Sequence, residues 1–181
     1  RIIRHTARIG YLPQDPTFEP GSTVWETVLA ANAELHAIEQ RMRALEARMG
    51  EPEIVNDVST FGRVLAQHAR AQEAFEKLEG YRYESRCRQG LQAVGFADVD
   101  FELPVDVLSG GQKKMLGLAM LLAVDSDVLL LDEPDNHLDL PGKARLEAFI
   151  QSFPGTIIIV SHDRYLLDET VSLIAEVEDH R

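Results

Sequence analysis

A single cysteine, Cys87, stands among 181 residues, so no intrachain disulfide is available and the fold must rest on packing. A reducing, cytoplasmic setting fits that usage. Long apolar runs are absent too. The longest, Met115 to Val124, is interrupted by Gly117 and falls well short of the about 20 residues that a membrane-spanning helix needs. Nowhere does a basic, apolar, then small-residue order mark a secretory signal. Positive charge is scarce: 18 Lys and Arg face 30 Asp and Glu, for a net charge of −12. Such an acidic balance disfavours non-specific binding to nucleic acid. Arg41, Arg43 and Arg48 form a local basic stripe, for which a solvated helix face is the simpler reading. The last absence concerns phosphate binding. No G-x-x-x-x-G-K-S/T loop occurs; the one Gly-Lys pair, Gly142-Lys143, is followed by Ala144, and His137 stands where the first glycine belongs.

What is present reads as an ordinary globular composition, 45% hydrophobic and 27% charged, enough for one domain or part of a larger one. A short strand from Arg8 ends at Pro13. Ser22 or Thr23 then caps a helix with Glu26 in its first turn. Apolar residues Val28, Leu35, Ile38, Met42, Leu45 and Met49 recur at helical spacing and predict one helix from Val24 to Met49. Gly50-Glu51-Pro52 breaks it. A second helix is expected over about Asp57 to Leu78, with Phe61, Val64, Leu65, His68, Phe75 and Leu78 on one stripe and Gly80 as its end. The two form a helical hairpin, and a third helix covers about Tyr83 to Val94. The pattern then changes class. Val128–Leu131 and Thr156–Val160 are wholly apolar and read as strands buried on both faces of a parallel sheet, with a helix from Pro141 to Phe153 between them. Leu173 to Val177 reads as a last strand.

Three stretches carry chemistry. In Leu108-Ser109-Gly110-Gly111-Gln112, Ser109 suits a helix N-cap, and the glycines let an anion approach the free N–H groups and positive dipole end. Val128-Leu-Leu-Leu-Asp-Glu-Pro134 delivers Asp132 to a strand tip, where a carboxylate can hold Mg²⁺. Glu133 beside it can serve as base or orienter for an attacking water. Thr156-Ile-Ile-Ile-Val-Ser-His-Asp163 brings His162 to the carboxyl end of its strand, where ligands bind in open α/β sheets. Gln14, just past the first strand, offers an amide oxygen.

Taken in this order, the pieces resemble the nucleotide-binding domain of ATP-binding cassette (ABC) proteins. YLPQDP looks like the Q-loop, LSGGQ like the signature motif, VLLLDEP like the Walker B strand, Asn136-His137-Leu138-Asp139 like the D-loop, and His162 like the switch histidine. DEP-x-NHLD and PGTIIIVSHDRYLLD, with 94 residues between Gln14 and Ser109, resemble the ABC-F branch of tandem-cassette proteins without transmembrane parts. That branch usually has Thr where this chain has Asp135. The resemblance implies an α/β fold: a partial P-loop NTPase-type cassette with a parallel-sheet core and a helical subdomain carrying a hairpin arm. The implied division is 1–22 for the end of a core lobe with the Q-loop, 23–107 for the helical subdomain, and 108–181 for the signature helix and Walker B core. It implies ATP and Mg²⁺ as ligands. Asp132 and Gln14 would hold the metal, and Glu133 and His162 would be catalytic. Gln14, Ser109, Gly110, Gly111, Gln112 and Asp139 would bind nucleotide. Partners would be a second cassette of the same chain and the ribosome through rRNA or tRNA, with no membrane. The missing phosphate-binding loop is expected upstream, making this the latter part of a first cassette, inactive alone.

Other readings stay open. An ATPase subunit of a transporter has the same motifs but a shorter helical subdomain. A DNA-repair or chromosome-organising ATPase inserts a far longer coiled coil. A degenerate cassette would act only as a binding module through the hairpin.

Overall fold

A computed structural model describes residues 7–175. The expected first strand is β1, Ile9–Leu12. It opens a three-stranded parallel sheet of order β1-β2-β3, with β2 at Val128–Asp132 and β3 at Thr156–Val160. Leu12 pairs with Leu131, and Asp132 with Val160, so all three strands end at one edge. Of the expected last strand, Leu173–Ala175 is irregular and the remainder lies outside the described residues.

Between β1 and β2 run six α-helices. Thr23 caps α1 (Val24–Leu29) in a capping box with Glu26. The single helix expected from Val24 to Met49 is in fact two. The chain breaks after Leu29 and restarts at α2 (Ala33–Met49), capped by Asn32, whose side chain accepts from the Leu35 amide. The break is held from outside. The buried Tyr83 hydroxyl donates toward the Val28 and Leu29 carbonyls at 3.0 and 3.1 Å and accepts from the Asn32 amide at 3.0 Å. Helical periodicity cannot reveal a break of three residues whose cause lies fifty residues away.

A short turn, α3 (Pro52–Val55), leads into α4 (Val58–Lys77), and α2 and α4 form the expected hairpin. Leu35 and Leu45 on α2 and Val64 and Phe75 on α4 are buried, and His68 bonds Glu46 across the pair at 2.9 Å. The α4 stripe differs in detail: Ala71 is buried, whereas Leu65 and Leu78 are exposed. Gly80 does not end α4 but begins α5 (Gly80–Ala93), after Glu79 turns left-handed with φ of 56°. A Cβ at residue 80 would run into the Phe75 ring, so the glycine permits close packing of the two helices. Cys87 is fully buried on α5, and that burial pushes its thiol up to about 12, which leaves it unreactive.

The signature helix α6 (Gly110–Ala123) packs its apolar residues against the sheet face formed by Gly10, Leu12, Leu129 and Leu131. Between β2 and β3 lies α7 (Leu140–Ser152), with Pro141 in its first turn, and β3 leads to α8 (Arg164–Thr170). Two parallel crossovers stepping the same way across a sheet belong on one face by the handedness rule. The other face, among the described residues, is therefore open: Ile9, Tyr11, Ile158 and Val160 are each more than half exposed. This corrects the expectation that β2 and β3 are buried on both faces.

Candidate functional site

The carboxyl edge of the sheet gathers four of the residues singled out in the sequence. Gln14 lies exposed two residues past β1, Asp132 ends β2, Glu133 follows it, and His162 stands two residues past β3. The Asp132 carboxylate accepts from the Tyr11 hydroxyl at 3.3 Å across the strands. Glu133 is buried, yet its carboxylate has partners on both oxygens: His162 Nε2 lies 3.2 Å from Oε1, and Asn136 Nδ2 donates to Oε2 at 3.3 Å. The His162 ring itself is almost wholly exposed and so stays accessible to a ligand.

The backbone here is unusual. Glu133 has φ of 46° and His137 has φ of 67°, both left-handed without being glycine. Such residues cost about 1–3 kcal/mol each and persist only where their surroundings hold them. The Glu133 amide donates to the Val160 carbonyl at 2.8 Å, and its carbonyl accepts from the buried Lys114 ammonium and, at 3.3 Å, from the Asn136 amide. Asp135 is buried beside it and accepts from Ser161 Oγ at 2.7 Å.

A second group forms at the start of α6. Ser109 caps the helix: its Oγ accepts from the Gln112 amide at 3.2 Å, while Gln112 Oε1 accepts from the Ser109 amide at 2.9 Å. The two side chains thus satisfy each other, and the first-turn N–H groups of Gly110 and Gly111 have no acceptor within the helix. A Cβ on Gly111 would stand 2.8 Å from the His137 carbonyl oxygen, so only glycine lets the signature turn rest on the loop after β2. Ser109, Gly111, Gln112, His137, Asp139 and Arg145 help line a cavity of about 470 Å³. Asp139 caps α7 through a 2.8 Å bond from the Gly142 amide. The Gly142-Lys143 pair has a structural use: Lys143 bonds Asp163 at 2.6 Å, which holds the Asp163 carboxyl below its ordinary range and ties α7 to α8.

The six positions expected from the sequence to bind nucleotide therefore divide. Gln14 lies with the carboxylates; Ser109, Gly110, Gly111, Gln112 and Asp139 lie around the signature turn. Reading the sequence did not single out Lys114, Tyr11, Asn136 or Ser161. Tyr11 and Asn136 lay inside recognised motifs, but Lys114 gave no signal, because a lysine one turn into a helix reads as solvated. Among the described residues no three His, Cys, Asp or Glu side chains converge as a metal cluster. Mg²⁺ takes one or two carboxylates and completes its shell with phosphates and water. Asp132, with one oxygen bonded to Tyr11 and the other not, has the donor for it.

A protein-family model described as "ABC transporter" matches residues 1–136. The energy-dependent translational throttle protein EttA of Haemophilus influenzae is 33% identical over 171 residues, covering 94% of this chain and 30% of the relative. The tylosin resistance ATP-binding protein TlrC of Streptomyces fradiae is 34% identical over 173 residues, again covering 94% and 30%. The chain thus spans about a third of the length of these relatives. Among solved structures, an ATP-binding cassette in a dimeric post-hydrolysis state bound to ADP and Pi aligns at a TM-score of 0.54 and 17% identity, over 91% of this chain and 56% of that one. An archaeal ribosome recycling factor, solved with a ribosomal stalk protein, aligns at 0.52 and 19%, over 93% and 25%. At these identities the two structures speak for the fold alone.

Proposed function

The chain belongs to the ABC transporter family of ATP-binding cassettes, whose model spans three quarters of it, and from that premise we propose that it is part of an ABC-F type ATPase. The observation that carries the reading is the Glu133 carboxylate, buried at the sheet edge and held between His162 and Asn136. A carboxylate so fixed can take the proton of a water attacking the γ-phosphorus of ATP, as the bond from that phosphorus to the ADP oxygen breaks. His162, exposed and touching Glu133, orients that water and reaches the γ-phosphate. A bound Mg²⁺, held by Asp132 and Gln14, would supply charge neutralisation on the phosphate oxygens. The signature turn contributes backbone N–H groups to a nucleotide held by a second cassette of the same protein. Closure of two cassettes on two ATPs is then the mechanical step, and hydrolysis reverses it.

The division into 1–22, 23–107 and 108–181 follows from the same reading. So do the partners. Relatives named for translational throttling and for resistance to tylosin support a place on the ribosome, in the cytoplasm, with the α2–α4 hairpin as the contacting arm. No helix among the described residues is long and apolar enough to cross a membrane. The 181 residues contain no phosphate-binding loop of the Walker type, so this stretch by itself binds ATP weakly and turns it over negligibly.

The test is made on the full-length protein: ATP turnover, and co-sedimentation with ribosomes in the presence of ATP. Turnover together with ATP-dependent sedimentation is expected. Turnover without any ribosome association would leave an ATPase but remove the ABC-F assignment. Clear turnover by residues 1–181 alone would overturn the statement about the isolated stretch.

A further inference from the structure

Lys114 is the most deeply buried charged side chain described, 1% exposed, on a helix whose Met115, Leu116 and Leu118 are buried too. Placing an ammonium there is unfavourable unless it is hydrogen-bonded and balanced by charge. Both conditions are met at one place. The ammonium donates to the Glu133 carbonyl. Burial pulls its pKa down, and carboxylates oppose that pull, Asp135 most strongly, then Asp15, Glu133 and Asp132. Asp135 is buried as well, and Ser161 Oγ anchors it at 2.7 Å. Glu133, meanwhile, sits in a left-handed conformation that its surroundings must enforce. Its amide is pinned by Val160, and its carbonyl by Lys114 with help from the Asn136 amide. The Lys114 bond is the charge-assisted one of these.

We propose that Lys114 is a positioning residue for ATP hydrolysis: its buried ammonium pins the Glu133 peptide through the Glu133 carbonyl and so aims the Glu133 carboxylate at its water. The proposal rests on the ATPase reading above. It also joins the two halves of the site physically. The helix that presents Ser109 and Gly111 at its N-terminus carries, one turn on, the group that holds Glu133. A shift of α6 on engaging a nucleotide would therefore be felt at the hydrolytic carboxylate.

The experiment uses the full-length protein with Lys114→Met, which keeps the unbranched shape to within one heavy atom and removes the charge, and the double variant Lys114→Met with Asp135→Asn. Steady-state ATP turnover and the thermal midpoint are measured for each. The expected result is a fall in kcat of roughly tenfold or more, with KM for ATP within about threefold of the parent. The thermal midpoint should fall in the single variant and recover in the double, because the unpaired buried carboxylate is gone. The kcat should stay low in the double, because the bond to Glu133 is still missing. Recovery of kcat together with stability would make Lys114 merely structural and overturn the proposal. So would parental kcat in the single variant. Should the single variant fail to fold, the charge-balanced double gives the same reading. A parent that hydrolyses no ATP overturns the ATPase reading, and this inference with it; an active parent with an unaffected variant overturns the inference alone.

Discussion

The start of α6 and the tip of β2 serve one reaction in this reading, but they present opposite chemistry. At the start of α6 the polar side chains of Ser109 and Gln112 close on each other, and what faces outward is backbone and two glycines. At the tip of β2 the side chains matter: Glu133 and Asp135 are buried, bonded within their own turn and to the chain just past β3, and set on a strained turn. A site built from backbone is indifferent to most side-chain chemistry and intolerant of added bulk. A site built from buried carboxylates is the reverse, sensitive to a single charge. Substitutions that separate charge from bulk therefore test the contrast directly.

The largest effect is expected from removing charge alone. Glu133→Gln in the full-length protein keeps the shape of the side chain and its bond to Asn136 but cannot take a proton. Turnover should fall by about 10²–10⁴-fold, the usual worth of a positioned base, while ATP affinity is retained. Phosphate release and nucleotide binding, measured side by side, check both halves. Bulk alone comes next. Gly111→Ala adds one methyl group, which would stand 2.8 Å from the His137 carbonyl. The loop after β2 must yield, and a displacement of that order in a reacting site costs roughly 10- to 100-fold in turnover. Stability should fall as well, because the clash is with backbone and the helix preference of alanine over glycine, about 1 kcal/mol in a helix interior, offsets only part of it in the first turn. A Gly111→Ala protein with parental turnover would show that contact between the turn and the loop is incidental.

The same contrast explains what the sequence made legible. Motifs that end strands or begin helices announce themselves locally, so Asp132, Glu133, His162 and the Ser109 cap were all readable, as were β1, β2, β3 and the hairpin. What escaped was decided at a distance. The break between α1 and α2 depends on Tyr83 from α5. The start of α5 at Gly80 depends on the Phe75 ring. The exposure of Ile158 and Val160 follows from both crossovers occupying one face, which an apolar run of five residues cannot disclose. Lys114 is the sharpest case. It stands where polar Gln112 and Lys113 give way to an apolar run, and only the fold shows that this position points at Glu133.

The smallest effects are expected where the α6 side chains serve only each other. Ser109→Ala removes the cap on the Gln112 amide and should cost about 1 kcal/mol of unfolding free energy, the common value for such a cap. Gln112→Ala removes only the return bond to the Ser109 amide, an exposed neutral contact worth about 0.5 kcal/mol. These two bonds close one ring, so the second is already weakened once the first is gone. The double variant should therefore cost less than the two single losses together, by a few tenths of a kcal/mol in a denaturant-unfolding cycle. Strict additivity would mean that the two residues act separately. Gln112 would then be free to turn its amide toward a nucleotide, and the signature turn would read its ligand with a side chain as well as with its backbone.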